Sequence, residues 1–265
     1  MSKSAATTSS NADSIASDQL LLETSRYNWD PEDVGGFYKL VHRMEYATTI
    51  DDWSWILADY TVRGNNKIAT NVRIFNMNSG TDCPNAHSEN CQVGDACYAM
   101  KSENIYDDAL AFRRRLEYLW DSLDPDTFAK EFIAILDRAR SETVALRLNQ
   151  AGDMRDKHDV LKAERIAELL DEHDVQVYTY SASDYIDFSD TDYLTVNMSN
   201  ARRPGFGDKH FTAVPRGLEP SDLDHLDESA VQCPYDKSDG EDRYKCGECQ
   251  LCFQSNGPDV YISIH

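Results

Sequence analysis

The chain has 265 residues, of which 41% are hydrophobic, so it is long enough and apolar enough to bury an ordinary core. It carries 47 acidic residues against 26 lysines and arginines, and this net charge of −21 argues against tight nonspecific binding to nucleic acid. The sequence has no run of about 18 apolar residues and no apolar stretch typical of a secretory signal. We therefore expect a cytoplasmic protein without a membrane span.

The acidic residues are spread along the whole chain, and aspartate is common while lysine is scarce. So many negative side chains repel one another strongly in dilute buffer. In 1 M salt the Debye length falls to about 3 Å, and this repulsion is screened. The composition therefore predicts a salt-adapted host cell, or a virus that infects one. The simpler alternative is a protein that is merely acidic and soluble.

The predicted elements follow one another in an alternating order. Residues 1–20 are rich in Ser, Ala, Thr and Asn, which predicts a disordered tail, and residues 21–66 are expected to pack as a layer on the main domain. The core at 67–230 begins with a predicted strand; its strands are expected at 67–76, 143–149, 175–181, 193–198 and 211–214, and its helices at 107–123, 125–140 and 157–173. Strands and helices that alternate in this order predict an α/β fold, either an open parallel sheet or a partial (β/α) barrel. Residues 231–265 are cysteine-rich and predict a small C-terminal metal knuckle with a closing strand.

Four of the seven cysteines lie in this C-terminal segment: Cys233, Cys246, Cys249 and Cys252. The last three are separated by two residues each, so a tight turn can direct three thiolates at one centre while Cys233 supplies the fourth ligand. Gly247 is expected to let the backbone bend between the ligands. In a chain without a secretory signal, clustered cysteines favour metal binding or redox chemistry over disulfides. Four thiolates suit zinc and an iron–sulfur cluster equally, and both alternatives stay open.

The other three cysteines, Cys83, Cys91 and Cys97, follow the first predicted strand. Their gaps of seven and five residues match no common zinc finger, so three separate core thiols are the alternative to a shared ligand set. The loop after a strand is where α/β sheets place functional groups. Three cysteines would leave one iron of a cubane cluster open to a substrate or cofactor, and His87 in the same loop is a further candidate ligand.

Polar residues at the end of the strand predicted at 143–149 are candidates for cofactor binding: Asn149, Gly152 and Asp153. Arg147 on that strand would be costly to bury unpaired, so it is expected to face solvent or to meet an anion. The run of three arginines at 113–115 is expected to be a solvated helix face. The chain has no G-x-S-x-G elbow, phosphate loop or H-E-x-x-H motif, which argues against hydrolases and nucleotide-loop ATPases.

The loop that ends in Cys97-Tyr98-Ala99 resembles the cysteine loop of radical S-adenosylmethionine enzymes. The order of motifs is similar to that of the gene product 88 family of phages and plasmids over residues 70–265. The matching parts are this loop, a strand that runs into Gly152-Asp153, the Tyr-Thr-Tyr strand at 178–180, the strand end VNMS at 196–199 and the cysteine tail at 246–253.

The resemblance implies an iron–sulfur-like arrangement without an assigned reaction. By analogy with the radical enzymes, Cys83, Cys91 and Cys97 would hold a 4Fe–4S cluster whose open iron binds S-adenosylmethionine near Gly152 and Asp153. The four C-terminal cysteines would hold an auxiliary cluster or zinc. The radical enzymes have shorter gaps of three and two residues between their cysteines. Two hypotheses follow: a radical-type or redox enzyme of viral or plasmid origin with an unknown substrate, and a non-catalytic binding protein in which zinc or closed clusters act as staples.

Overall fold

The computed structural model describes residues 34–86, 91, 93–94, 97–199, 207–214, 219–222, 226, 228–238 and 243–263. The tail predicted at 1–20 and the candidate ligand His87 lie outside these ranges. The helices within them are α1 (Val34–Tyr46), α2 (Ile50–Tyr60), α3 (Tyr98–Ile105), α4 (Ala109–Ser122), α5 (Pro125–Arg138), α6 (Lys157–Asp171), α7 (Pro234–Lys237) and α8 (Cys246–Cys249). No helix in this part of the chain combines the length and the apolar character needed to cross a membrane.

A single mixed sheet forms the centre of the protein. Its strands are β1 (Val62–Arg63), β2 (Val72–Phe75), β3 (Ala145–Leu148), β4 (Gln176–Ser181), β5 (Leu194–Ser199), β6 (Lys209–Val214), β7 (Val231–Gln232) and β8 (Val260–Ser263). They are ordered β1-β2-β3-β4-β5-β6-β8-β7, and β1 is antiparallel to β2 whereas the other neighbours are parallel. This architecture confirms the predicted α/β class.

The strand order gives the sheet two different faces. From β2 through β6 to β8, each strand pairs with the one before it at the same edge of the sheet. The strand order therefore lacks the reversal that is found in a doubly wound sheet. Right-handed crossovers in such a series lie on one face, as in a partial (β/α) barrel. The outer face accordingly carries the main core, in which Phe75 packs its ring 5.1 Å from Phe128 and 6.1 Å from Trp120.

Local sequence explains where α5 begins and why β2 is shorter than the strand predicted at 67–76. Asp124 caps α5 by accepting from Thr127 N, and Pro125 takes the first turn, where no amide hydrogen is needed. The strand predicted at 67–76 is only four residues long, because the Asn65 side chain accepts from the amides of Lys67 and Ile68 and closes a turn there.

The inner face of the sheet is covered by the C-terminal cysteine segment. A smaller apolar cluster joins Ile74 and Tyr178 of the sheet to Phe253, with Cys246 and Cys252 packed against it. β8 pairs with β6 and β7 pairs with β8, so the segment before and after these cysteines belongs to the same sheet. The cysteines are therefore held directly against the inner face.

Candidate functional site

The four C-terminal cysteines lie together and line one small cavity with Tyr235 and Tyr244. Cys233 precedes α7, Cys246 and Cys249 begin and end α8, and Cys252 lies in the 3-10 turn that follows. β7 and β8 fix the distant member of the set, since Cys233 N donates to Tyr261 O over 2.8 Å. The structure thus brings together all four residues that the sequence predicted as one ligand set.

The bend between these cysteines comes from Gln250 rather than from Gly247. Gln250 has a φ of 56°, the left-handed conformation that reverses the chain after α8. Gly247 lies within α8, and an added Cβ there would come 2.0 Å from Asn71 Oδ1. Its amide donates to Ile68 O over 3.1 Å. The expected role of Gly247 in bending is wrong, and the glycine instead allows α8 to dock closely on the loop before β2.

Polar residues of the inner face hold the backbone of the cysteine segment. Thr195 Oγ1 donates to Phe253 O over 2.8 Å, and Asn197 Nδ2 donates to Cys252 O over 3.0 Å. Lys209 Nζ on β6 donates to the carbonyls of Leu251 and Gln254. Because these bonds fix main-chain atoms, the positions of the thiols are set by the sheet.

The environment of Cys246, Cys249 and Cys252 favours their protonated form unless a cation binds. Burial raises the pKa of Cys246 to about 11, and it also raises the pKa of Cys249 and of Cys252. The Tyr180 hydroxyl, as a donor to Cys252, opposes that rise. A metal ion would stabilise the thiolates directly, since a coordinating thiol is deprotonated.

The donor set leaves the kind of centre open. The four C-terminal candidates are all thiols, and four thiolates suit zinc and an iron–sulfur cluster alike. Within the described ranges, the side chains whose ligand atoms lie within 4.8 Å of one another are Asp156, His158 and Asp159 at the start of α6.

The first cysteine set lies beyond the carboxyl end of β2. Cys83 has an electrostatic interaction with each of Cys91 and Cys97. Burial raises the pKa of Cys83 to about 12, and the carboxylate of Asp153 adds to the rise. Cys97 is the residue before α3, and its amide donates to Gly94 O over 3.0 Å.

Two ion pairs fix the start of this loop. Glu103 on α3 accepts from Gly80 N over 2.7 Å and pairs with Arg113. Arg114 holds Asp82 through two bonds of 2.7 and 2.9 Å, and only 8% of Arg114 is exposed. The expectation that the arginine run is a solvated face is wrong for these two residues, because Arg113 pairs with an acid of α3 and Arg114 with the acid that precedes Cys83.

Asp153 joins the first cysteine loop to the next strands. Its carboxylate accepts from Asn85 Nδ2 over 2.8 Å and from the amides of Met154 and Ala182, each over 2.7 Å. Burial raises the pKa of Asp153 to about 6, although these hydrogen bonds oppose the rise. The carboxyl ends of β2, β3 and β4 thus meet at Asp153, beside Cys83.

Gly152 and Asn149 shape the turn that presents Asp153. Gly152 has a φ of 78°, and an added Cβ would lie 1.4 Å from Asn78 Oδ1. That amide group binds the backbone of Asp153, accepting from its N over 3.0 Å and donating to its O over 2.6 Å. Asn149 has a φ of 62° and accepts from Met77 N over 2.9 Å. Sequence reasoning missed Asn78, whose only signal was its place in a polar run after a buried strand.

Arg147 lies between the two cysteine sets. Its guanidinium is 4.6 Å from the centre of the Tyr180 ring on the inner face. It donates to the hydroxyl of Tyr98, the residue after Cys97, and it is in electrostatic reach of Cys246. One side chain therefore touches the surroundings of both sets.

Comparison with known proteins places the chain in a family. No curated protein and no solved structure matches this chain. The model of a protein family described as gene product 88 matches residues 55–255, which is more than half of the chain and includes all seven cysteines. The chain therefore belongs to the gene product 88 family.

Proposed function

We propose that this chain is an iron–sulfur protein with two centres, and that it works as a redox or radical-type enzyme. The three cysteines after β2 would hold an open 4Fe–4S cluster, and the four C-terminal cysteines would hold a closed one. The observation that carries the proposal is the presence of two separate thiol sets, one beyond the carboxyl end of β2 and one on the inner face of the sheet, with Arg147 in electrostatic contact with the surroundings of both.

The closed centre is supported by its donor set. Iron–sulfur clusters are held by cysteine thiolates, and all four candidate ligands here are cysteines that line one cavity. Cys246, Cys249 and Cys252 follow one another at intervals of three residues, so one tight turn can direct their sulfurs at one centre. Zinc at this site remains the alternative, in which the chain is a binding protein with a structural staple.

The open centre is supported by the number of its cysteines and by their surroundings. Three thiolates leave one iron of a cubane without a protein ligand, and the buried Asp153 carboxylate lies close by. S-adenosylmethionine, which the resemblance to radical enzymes implies, has an amino group that suits this carboxylate. When bound, such a cluster would supply single-electron chemistry, while Asp153 would orient the amino group.

The origin of the protein follows from its family and its charge. Membership of the gene product 88 family supports a phage or plasmid gene, and the aspartate-rich composition supports a salt-adapted host. Substrate and partners are left open by this proposal.

The test is a variant series purified without oxygen in high salt. We expect the parent to absorb in the visible range and to contain iron and sulfide in equal amounts. The triple variant Cys83→Ala, Cys91→Ala, Cys97→Ala is expected to lose about half of the iron while the fold is kept. An unchanged iron content in the triple variant would contradict the proposal that these three cysteines hold a cluster. A colourless parent with stoichiometric zinc would instead favour the stapled binding protein.

A further inference from the structure

Arg147 has an environment that is unusual for a guanidinium. The side chain lies on the inner face of β3, whereas Leu146 and Leu148 on the same strand face the outer core. Its Nε is buried and has no hydrogen-bond acceptor. Among the residues that the structure describes, its electrostatic neighbours are three tyrosines, Tyr98, Tyr178 and Tyr180, and one cysteine, Cys246.

None of these three phenols supplies a counter-charge, because a tyrosine hydroxyl is neutral near neutral pH. Arg147 is half-buried, and such a cation is costly to leave without an opposite charge. Cys246 and Tyr180 pack against the inner-face cluster that contains Tyr178, and a thiol that coordinates a metal is an anion. Cys246 is therefore the neighbour in this set that a bound metal would turn into a counter-charge.

A second cation occupies the other side of the same cysteine set. Lys209 lies within electrostatic reach of Cys249 and Cys252 while its ammonium binds the carbonyls of the cysteine segment. Four thiolates around a doubly positive core carry a net charge of −2. Two fixed cations on the inner face therefore match the charge of a loaded four-cysteine centre.

We propose that Arg147 is the built-in counter-charge of the four-cysteine centre and that it sets the reduction potential of the cluster held there. This inference rests on the proposed function. A fixed positive charge stabilises the reduced state, which is one unit more negative than the oxidised state.

The experiment is a redox titration followed by electron paramagnetic resonance, in the background Cys83→Ala, Cys91→Ala, Cys97→Ala so that one cluster is observed. Arg147→Met is expected to lower the reduction equilibrium constant at least tenfold, which is about 59 mV for one electron. Arg147→Lys keeps the charge and is expected to shift the potential by less than half as much. Arg73→Met is the matched control, since Arg73 lies on the neighbouring strand and on the opposite face.

The outcomes separate this inference from the proposed function. A potential unchanged in Arg147→Met, with iron retained, overturns the inference and leaves the iron–sulfur proposal intact. Loss of the cluster in Arg147→Met but not in Arg147→Lys supports it. If the parent holds zinc and no iron, the proposed function fails, and the counter-charge is then tested by competition with a chelator. Arg147→Met should lose zinc at least tenfold more readily than Arg147→Lys, and equal retention would overturn the inference.

Discussion

Replacing Gly152 with alanine tests how the turn after β3 is built. An alanine Cβ would lie 1.4 Å from Asn78 Oδ1, so Asn78 must move away from the two backbone atoms of Asp153 that it binds. Alanine at a φ of 78° also costs about 1–2 kcal/mol of backbone strain. Loss of the two buried hydrogen bonds adds about 2 kcal/mol. We therefore expect Gly152→Ala to lower the free energy of unfolding by about 3–4 kcal/mol.

The assay is equilibrium unfolding in urea at fixed salt, with iron content measured on the same samples. Gly94 supplies the matched control, because it has a φ of 47° but nothing within 4 Å of an added Cβ. Gly94→Ala should cost only the strain of about 1–2 kcal/mol. The double variant Gly152→Ala, Asn78→Ala should cost less than the sum of the single changes, since the clash is then absent. Equal costs for Gly152→Ala and Gly94→Ala would refute the steric reasoning.

Three further predictions concern residues outside that turn. Burial raises the pKa of Glu131 to about 7, so the folded chain loses stability as the pH rises from the ordinary pKa of about 4.5 through 7. The urea midpoints of Glu131→Gln should therefore exceed those of the parent above about pH 7 and converge with them below about pH 4.5. Midpoints that run parallel over this pH range would contradict the reasoning. Arg114→Leu removes two hydrogen bonds to the Asp82 carboxylate, which is exposed and keeps its bond from Ser79, and should cost about 1–2 kcal/mol. It should also reduce the iron bound by the first set, and unchanged iron on analysis would argue against a role of this pair in holding the loop. Phe253→Ala removes a ring whose centre is 4.5 Å from that of Tyr178, and it should lower the free energy of unfolding by about 3–4 kcal/mol. It should also speed proteolysis of residues 243–263, and an unchanged cleavage rate would argue against docking of this segment on the sheet.

Local patterns were sufficient to predict the helices α4, α5 and α6 and most of the parallel strands. The helix predicted at 125–140 is Pro125–Arg138, because its cap, its proline and its apolar face all act within a few residues. The strand predicted at 175–181 is Gln176–Ser181 for a similar reason. Alternation of these elements then gave the fold class, since parallel strands require crossovers.

Contacts between distant parts of the chain were not predictable in the same way. The arginines at 113 and 114 have the pattern of a charged helix face, and only the folded chain brings them to Glu103 on α3 and to Asp82 before the cysteine loop. Likewise, spacing predicted the four-cysteine set but not the inner-face residues that hold it, such as Asn197 and Lys209. These residues act across long stretches of sequence, so no local pattern marks them.

The most direct test of the account is the number of irons, sulfides and zincs per chain in protein purified without oxygen in high salt. Two clusters predict about eight irons with matching sulfide and a broad visible absorption. One or two zincs per chain, without sulfide or visible absorption, would contradict the iron–sulfur account.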